Sequence, residues 1–169
     1  MGLKAKELVA RAEVDLNALL KLLNQAFCDE WLAYYQYWIG AEVATGKLAP
    51  VLIPELKEHA GEELEHARKL AKRISELDGT PALSPADWFK ESTCGYEAPV
   101  NPDAAEILQQ NLHSERCAIE VYAHILNMVK GKDLITEHII REILEDEIEH
   151  EMELENMAAG CKRCTSTNP

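Results

Sequence analysis

A chain of 169 residues with 47% apolar and 28% charged side chains carries enough apolar material for one domain with a sizeable core. Its 30 acidic against 17 basic residues give a formal net charge of −13, which excludes a general attraction to nucleic acid or to an anionic membrane and makes cations the natural partners. No run of 18 or more apolar residues is present to span a bilayer, the stretch Met1 to Lys6 lacks the apolar core of a signal peptide, and five cysteines follow no regular framework, so a cytoplasmic chain with reduced or redox-active thiols is expected.

Taken in chain order, a short helical stretch from Ala5 to Arg11 precedes a first long helix, about Asp15 to Gly46, with Leu16, Leu19, Leu20, Leu23, Phe27, Tyr34 and Tyr37 at helical spacing. A second opens near Pro50 or Pro54, positions that suit a first turn, and stops at Asp78-Gly79. Residues 79 to 101 are too long and too rich in Gly and Pro for a hairpin loop and read as a crossover. Within it Ser84-Pro85 predicts an N-cap and a short helix over about 85 to 91. The third long helix starts at Asn101-Pro102-Asp103 and stops at Gly131; the fourth starts at Asp133 and ends before Gly160. Four helices of roughly 28 residues, about 42 Å each, joined short, long, short, predict an all-α, up-down four-helix bundle with one long crossover. Residues 1–160 form its single domain and 161–169 a polar tail.

Two of these helices repeat one pattern. Glu63-Leu64-Glu65-His66 and Glu147-Ile148-Glu149-His150 each set a Glu and a His three apart, on one face of a helix. Those faces also carry Leu56, Ala60, Ala67 and Leu70 on one helix and Ile140, Ile143 and Leu154 on the other, so both pairs point inward. One Glu-x-x-His in a chain this acidic means little; surface pairs are the simpler explanation of a single copy. The first and third helices, however, each add an inward Glu, Glu30 and Glu115. Glu30 precedes Glu63 by 33 residues and Glu115 precedes Glu147 by 32, as in two halves related by a pseudo-two-fold. Four buried carboxylates repel one another and stay protonated unless cations neutralise them, and two divalent ions match four negative charges. Oxygen ligands with one imidazole per metal suit Fe or Mn, whereas structural zinc draws on more Cys or His.

The segments Glu30-Trp31-Leu32-Ala33-Tyr34-Tyr35-Gln36-Tyr37, Glu63 to Ala67 and Asp146 to His150 resemble the corresponding helices of bacterioferritins, over nearly the whole bundle. The four-Glu, two-His set on such a bundle is that of ferritin-like dinuclear carboxylate proteins. The resemblance implies that Glu30, Glu63 and His66 hold one iron and Glu115, Glu147 and His150 the other, with Glu63 and Glu147 bridging; these six would be the catalytic ligands. Tyr37 and Tyr122, each seven residues beyond a terminal ligand, stand where hydrogen bonds to ligating carboxylates are expected.

Leu64 stands where bacterioferritins have the Met that ligates haem, so two Fe ions per subunit, or Mn, and no haem are expected. Nine residues after Gly160 are too few for the fifth helix of 24-subunit shells, which favours a homo-oligomer of twelve subunits of the Dps kind. A complete intrasubunit ligand set together with two cysteines resembles the Dps-like branch called thioferritins. Cys94 in the crossover and Cys117 on the third helix match that pair, as a disulfide or as thiols that cycle electrons to the metals. Cys28 reads as core packing, Cys161 and Cys164 as an isolated C-x-x-C, His59 as a satisfied histidine, and His113, His124 and His138 carry no motif. The expected function is oxidation of Fe(II) by hydrogen peroxide or oxygen, with storage of the product in a shell that protects against oxidative stress. Two rivals remain: a rubrerythrin-like di-iron peroxidase, and a DNA-protecting shell, for which the basic arm shrinks to Lys4, Lys6 and Arg11.

Overall fold

The computed structural model describes residues 3–165, with side chains over 4–160. Six helices occur in this span: α1 Leu3–Arg11, α2 Leu16–Val43, α3 Ala49–Glu76, α4 Pro85–Glu91, α5 Ala104–Val129 and α6 Leu134–Thr165. The all-α bundle with one long crossover is as expected. Hairpins α2–α3 and α5–α6 are its halves, and α2 lies against α5.

The helix starts follow from capping. Asp15 accepts from the amides of Asn17 and Ala18, Ser84 from Ala86 and Asp103 from Ala105, each satisfying donors that a helix start leaves free. The cap of α5 is therefore Asp103 and not Asn101, whose side chain instead receives the Asp103 amide. Helix α3 opens at Ala49, which puts Pro50 in the first turn but leaves Pro54 inside the helix, where it cannot donate to the Pro50 carbonyl. At its far end Asp78 takes the left-handed conformation (φ 65°), and glycine is favoured next because a Cβ there would stand 3.1 Å from the Ile74 carbonyl oxygen as well as 2.6 Å from Leu20 Cδ2. The first helix ends at Val43, short of Gly46, because Thr45 pairs with the start of α5: its amide donates to Pro102 O at 2.7 Å and its carbonyl accepts from Ala104 N at 2.9 Å.

The predicted end before Gly160 is a correction. Helix α6 continues through Gly160 to Thr165, since one Gly inside a helix costs only about 1 kcal/mol relative to Ala and no Pro or cap intervenes. Cys161 and Cys164 thus lie on helical backbone, with side chains outside the described set; residues 166–169 of the expected tail are outside it altogether.

The core is divided. One apolar cluster gathers Leu19, Leu23, Phe27, Leu70, Ile74, Ile125, Ile140 and Ile143; the other gathers Leu52, Leu56, Ile107, Leu108, Leu112 and Leu154. Each fully buried Leu or Ile contributes about 1.5–3 kcal/mol, so the two plugs together can offset the cost of burying charge between them.

Candidate metal centre

Between the plugs lie Glu30 from α2, Glu63 and His66 from α3, Glu115 from α5, and Glu147 and His150 from α6, all buried. Each histidine turns Nδ1 inward. His66 Nδ1 stands 3.4 Å from Glu30 Oε2, 3.1 Å from Glu63 Oε2 and 3.2 Å from Glu147 Oε1. His150 Nδ1 stands 3.4 Å from Glu63 Oε1, 3.5 Å from Glu115 Oε2 and 3.9 Å from Glu147 Oε2. The structure therefore brings together all six residues singled out in the sequence, as two four-residue groups that share Glu63 and Glu147. Donors held 2.0–2.2 Å from one ion stand about 3–3.5 Å apart, a spacing that the group around His66 has and that the group around His150 exceeds only at Glu147.

The donor atoms fit such ions in a second way. Glu30 Oε2, Glu63 Oε1, Glu115 Oε2, Glu147 Oε1 and His150 Nδ1 are buried with no hydrogen-bond partner. Buried polar atoms are nearly always paired, and five orphans converging on one spot are what a pair of cations would satisfy.

The other end of each ligand except the shared Glu63 and Glu147 is held by the opposite half. Tyr37 on α2 donates to Glu115 and Tyr122 on α5 donates to Glu30, a crosswise exchange. His66 Nε2 meets Asp146 Oδ2 at 3.0 Å, and His150 Nε2 meets Glu62 Oε2 at 2.7 Å. Such acceptors fix the ring orientation that aims Nδ1 at a metal. Glu62 and Asp146 were not anticipated from the sequence; the signal available was an acidic residue directly before each bridging Glu.

The charge states follow from crowding. Burial, and then the charge of Glu63, push Glu30 up to about 8. Burial followed by the charges of Glu63, Glu115 and Glu30 holds Glu147 well above the usual carboxylate range. Burial acts upward on Glu63 too, but the imidazoles of His150 and His66 beside it outweigh it and leave that carboxyl below its ordinary range. Burial alone lowers a histidine, yet Glu115 and Glu63 outweigh it for His150, which rises to about 12, and Glu147 and Glu30 do the same for His66. Both tyrosines, raised first by burial and then by Glu115 or Glu30, remain proton donors.

Cys94 and Cys117 form a disulfide with Cα atoms 5.7 Å apart. Asp29, next to Glu30, places it: its Oδ1 accepts from Thr93 N and Cys94 N, both at 2.8 Å, and from the Ser92 hydroxyl. Gln36 anchors the crossover again, accepting from Glu97 N at 2.8 Å. In consequence Cys94 shares a cavity of about 10 Å³ with Glu30, Glu63, Glu115 and Glu147. Cys28 is a buried thiol of the apolar core, pushed up to about 11 by burial and by Asp29. His59, read as a satisfied histidine, is buried against His150 with its Nδ1 unpartnered.

The Ferritin-like domain family matches residues 20–164. A DNA protection during starvation protein of Pyrococcus furiosus is 36% identical over 92% of the chain and 84% of its own length. A bacterioferritin of Desulfovibrio desulfuricans is 28% identical over 88% of the chain and 79% of its own. Among solved structures, the dodecameric thioferritin of Bacteroides fragilis superposes with a TM-score of 0.93 at 42% identity, covering 96% of this chain and 98% of that one.

Proposed function

The chain belongs to the ferritin-like family, in its Dps-like branch, and from that premise we propose that it is a ferroxidase subunit of an iron-storing and iron-detoxifying shell. The observation that carries the reading is the pair of groups with one histidine each and two shared carboxylates. Two Fe(II) bound there as substrate each give up one electron; hydrogen peroxide takes both with two protons and leaves as two water molecules, while dioxygen taking the same electrons and protons leaves as hydrogen peroxide. The protein's part is positional. Glu63 and Glu147 would be shared by the two metals, Glu30 and Glu115 close the ends under the tyrosine hydrogen bonds, and the apolar plugs close the centre on two sides. Carboxylates tolerate both oxidation states, so the product iron is not trapped as it would be by softer ligands.

Assembly has its own support. Tyr35, Trp38, Phe89 and Tyr96 form a run of neighbouring rings along α2 and the crossover, and Tyr35, Trp38 and Phe89 are exposed, an apolar surface of the kind that subunit contacts cover. Twelve subunits are expected from the likeness to the dodecameric relative. DNA compaction is disfavoured despite the name of the Pyrococcus protein, because Lys4 and Lys6 are engaged by Glu7 and Asp78 and Arg11 lies near Glu7.

One observation favours a second reading. Cys94 lines the same cavity as four of the ligands, so a reduced Cys94 and Cys117 pair could return two electrons to oxidised metals, giving a peroxidase in which the iron stays bound. Size-exclusion chromatography with light scattering and iron analysis, before and after Fe(II) and hydrogen peroxide, separates the two. A particle near twelve chains holding many iron atoms per chain is expected; a small species that stops at two per chain overturns storage and leaves the peroxidase.

A further inference from the structure

A second cluster of metal-binding side chains lies one helical turn from the centre. Glu55 and His59 stand four residues apart on α3, and Glu153, three residues past His150 on α6, faces them across the seam. His59 Nε2 is 3.1 Å from Glu153 Oε2, within the separation of donors sharing one ion, and 3.8 Å from Glu55 Oε1, a little beyond it.

His59 is 1% exposed, with its ring stacked on His150 at 4.0 Å and set edge-on to Tyr37 at 5.2 Å. Only one side of the imidazole is hydrogen-bonded: Nε2 meets Glu153, while Nδ1 is buried with no partner. Packing orients the ring, and what the orientation achieves is to aim Nε2 at two carboxylates. Those carboxylates are reachable: the side chains of Glu55 and Glu153 are 21% and 38% exposed. The cluster also borders an open, polar cavity of about 120 Å³ whose further walls are Glu58, Glu62, Asp146 and Glu149. Glu62 and Asp146 are the residues that hold the two histidines of the dinuclear centre, so the cavity leads from solvent past acidic side chains to the back of that centre.

We propose that Glu55, His59 and Glu153 form a separate, mononuclear site for a divalent cation of the Fe(II), Mn(II) or Zn(II) class, with water completing the coordination. It shares no ligand with the dinuclear centre. Its place on the cavity makes it a staging point for Fe(II), and that role alone rests on the function proposed above.

Equilibrium dialysis of the full-length assembly against Zn(II), which does not change oxidation state, followed by metal analysis, tests the site. Three tightly held ions per chain are expected in the unaltered protein, two in His59→Gln and in Glu153→Gln, and one in a Glu63→Gln/Glu147→Gln double variant. Circular dichroism checks that each variant is folded, and Glu153→Gln alters a partly exposed position. Two ions per chain in the unaltered protein and in both single variants overturn the site and leave the centre standing. One ion in the unaltered protein, lost in His59→Gln, supports the site and overturns the dinuclear reading. A double variant that binds none shows that the site does not exist independently, which also overturns the proposal.

Discussion

Asp29 and Glu30 are neighbours on α2 with different tasks: Asp29 grips the crossover through two amides and a hydroxyl, while Glu30 turns into the bundle and receives the Tyr122 hydroxyl. The tyrosine bond matters because a buried carboxylate with one oxygen tied can offer the other in a fixed direction. Removing the donor in Tyr122→Phe keeps the ring in its apolar cluster but frees Glu30, and affinity for the ion on Glu30 and His66 is expected to fall about 10–100-fold. Tyr37→Phe is expected to act on the ion at Glu115 and His150 instead. Competition for Zn(II) with a chromophoric chelator reads both; unchanged binding of both ions in either variant shows that the hydroxyl does not orient its carboxylate. The six ligand positions were legible because a Glu and a His three apart declare a helix face by themselves. The tyrosines were legible as neighbours of the site but not in their partners, since spacing along one helix does not say which helix it faces. Glu62, Asp146 and His59 were missed or read blandly for the same reason: each completes its contacts across the α3–α6 seam.

Elements, in turn, are joined by contacts that no single helix encodes. The crossover reaches α5 through the Cys94–Cys117 disulfide, closing a loop with a sequence separation of 23, and stacks Trp88 of α4 on Trp31 of α2 at 4.9 Å. Cross-linking a loop of that length restricts the unfolded chain and stabilises by about 3 kcal/mol. Cys94→Ser is therefore expected to lower the melting temperature by roughly 10 °C in a domain of this size. The same drop should appear in the unaltered protein after reduction, and calorimetry with and without a reductant checks it; no change on reduction means that Asp29 and the tryptophan stack alone hold the crossover. Arg73 on α3 makes a comparable link, buried and bound to Asp133 at 2.8 Å just ahead of α6. The start of α3 was readable from Pro50, that of α5 from Pro102 although its cap is Asp103, and the crossover with its short helix from Gly, Pro and Ser84. The end of α6 was not, because a lone Gly weakens a helix without stopping one.

At the scale of the whole molecule, two apolar plugs enclose a layer of like charge, and the resulting tension is set by pH. In the metal-free protein Glu30 lies at about 8 against an ordinary 4.5, so the stability tied to its protonated form is complete below 4.5 and is lost as pH rises through 8. His150, at about 12 against 6.5, has the same sign: its contribution is complete below 6.5 and is lost as pH climbs towards 12. Glu63 works the other way, but its stability is present above 4.5 and is lost only in acid. Above about pH 5 the terms therefore agree, and the melting temperature of the chelator-stripped protein is expected to fall steadily between about pH 5 and 9. Divalent ions reverse this, since they bind the ionised carboxylates and displace protons from Glu30, Glu147 and the two histidines, which gives affinity that increases with pH. Melting curves across that range, with chelator and with excess Mn(II), should diverge as pH rises, and adding Mn(II) to the stripped protein in weak buffer should release protons. Parallel curves without proton release would mean that the buried carboxyls do not exchange protons for metal, and the centre would then have to be read as a hydrogen-bonded core in which histidine cations, and not metal ions, balance the charge.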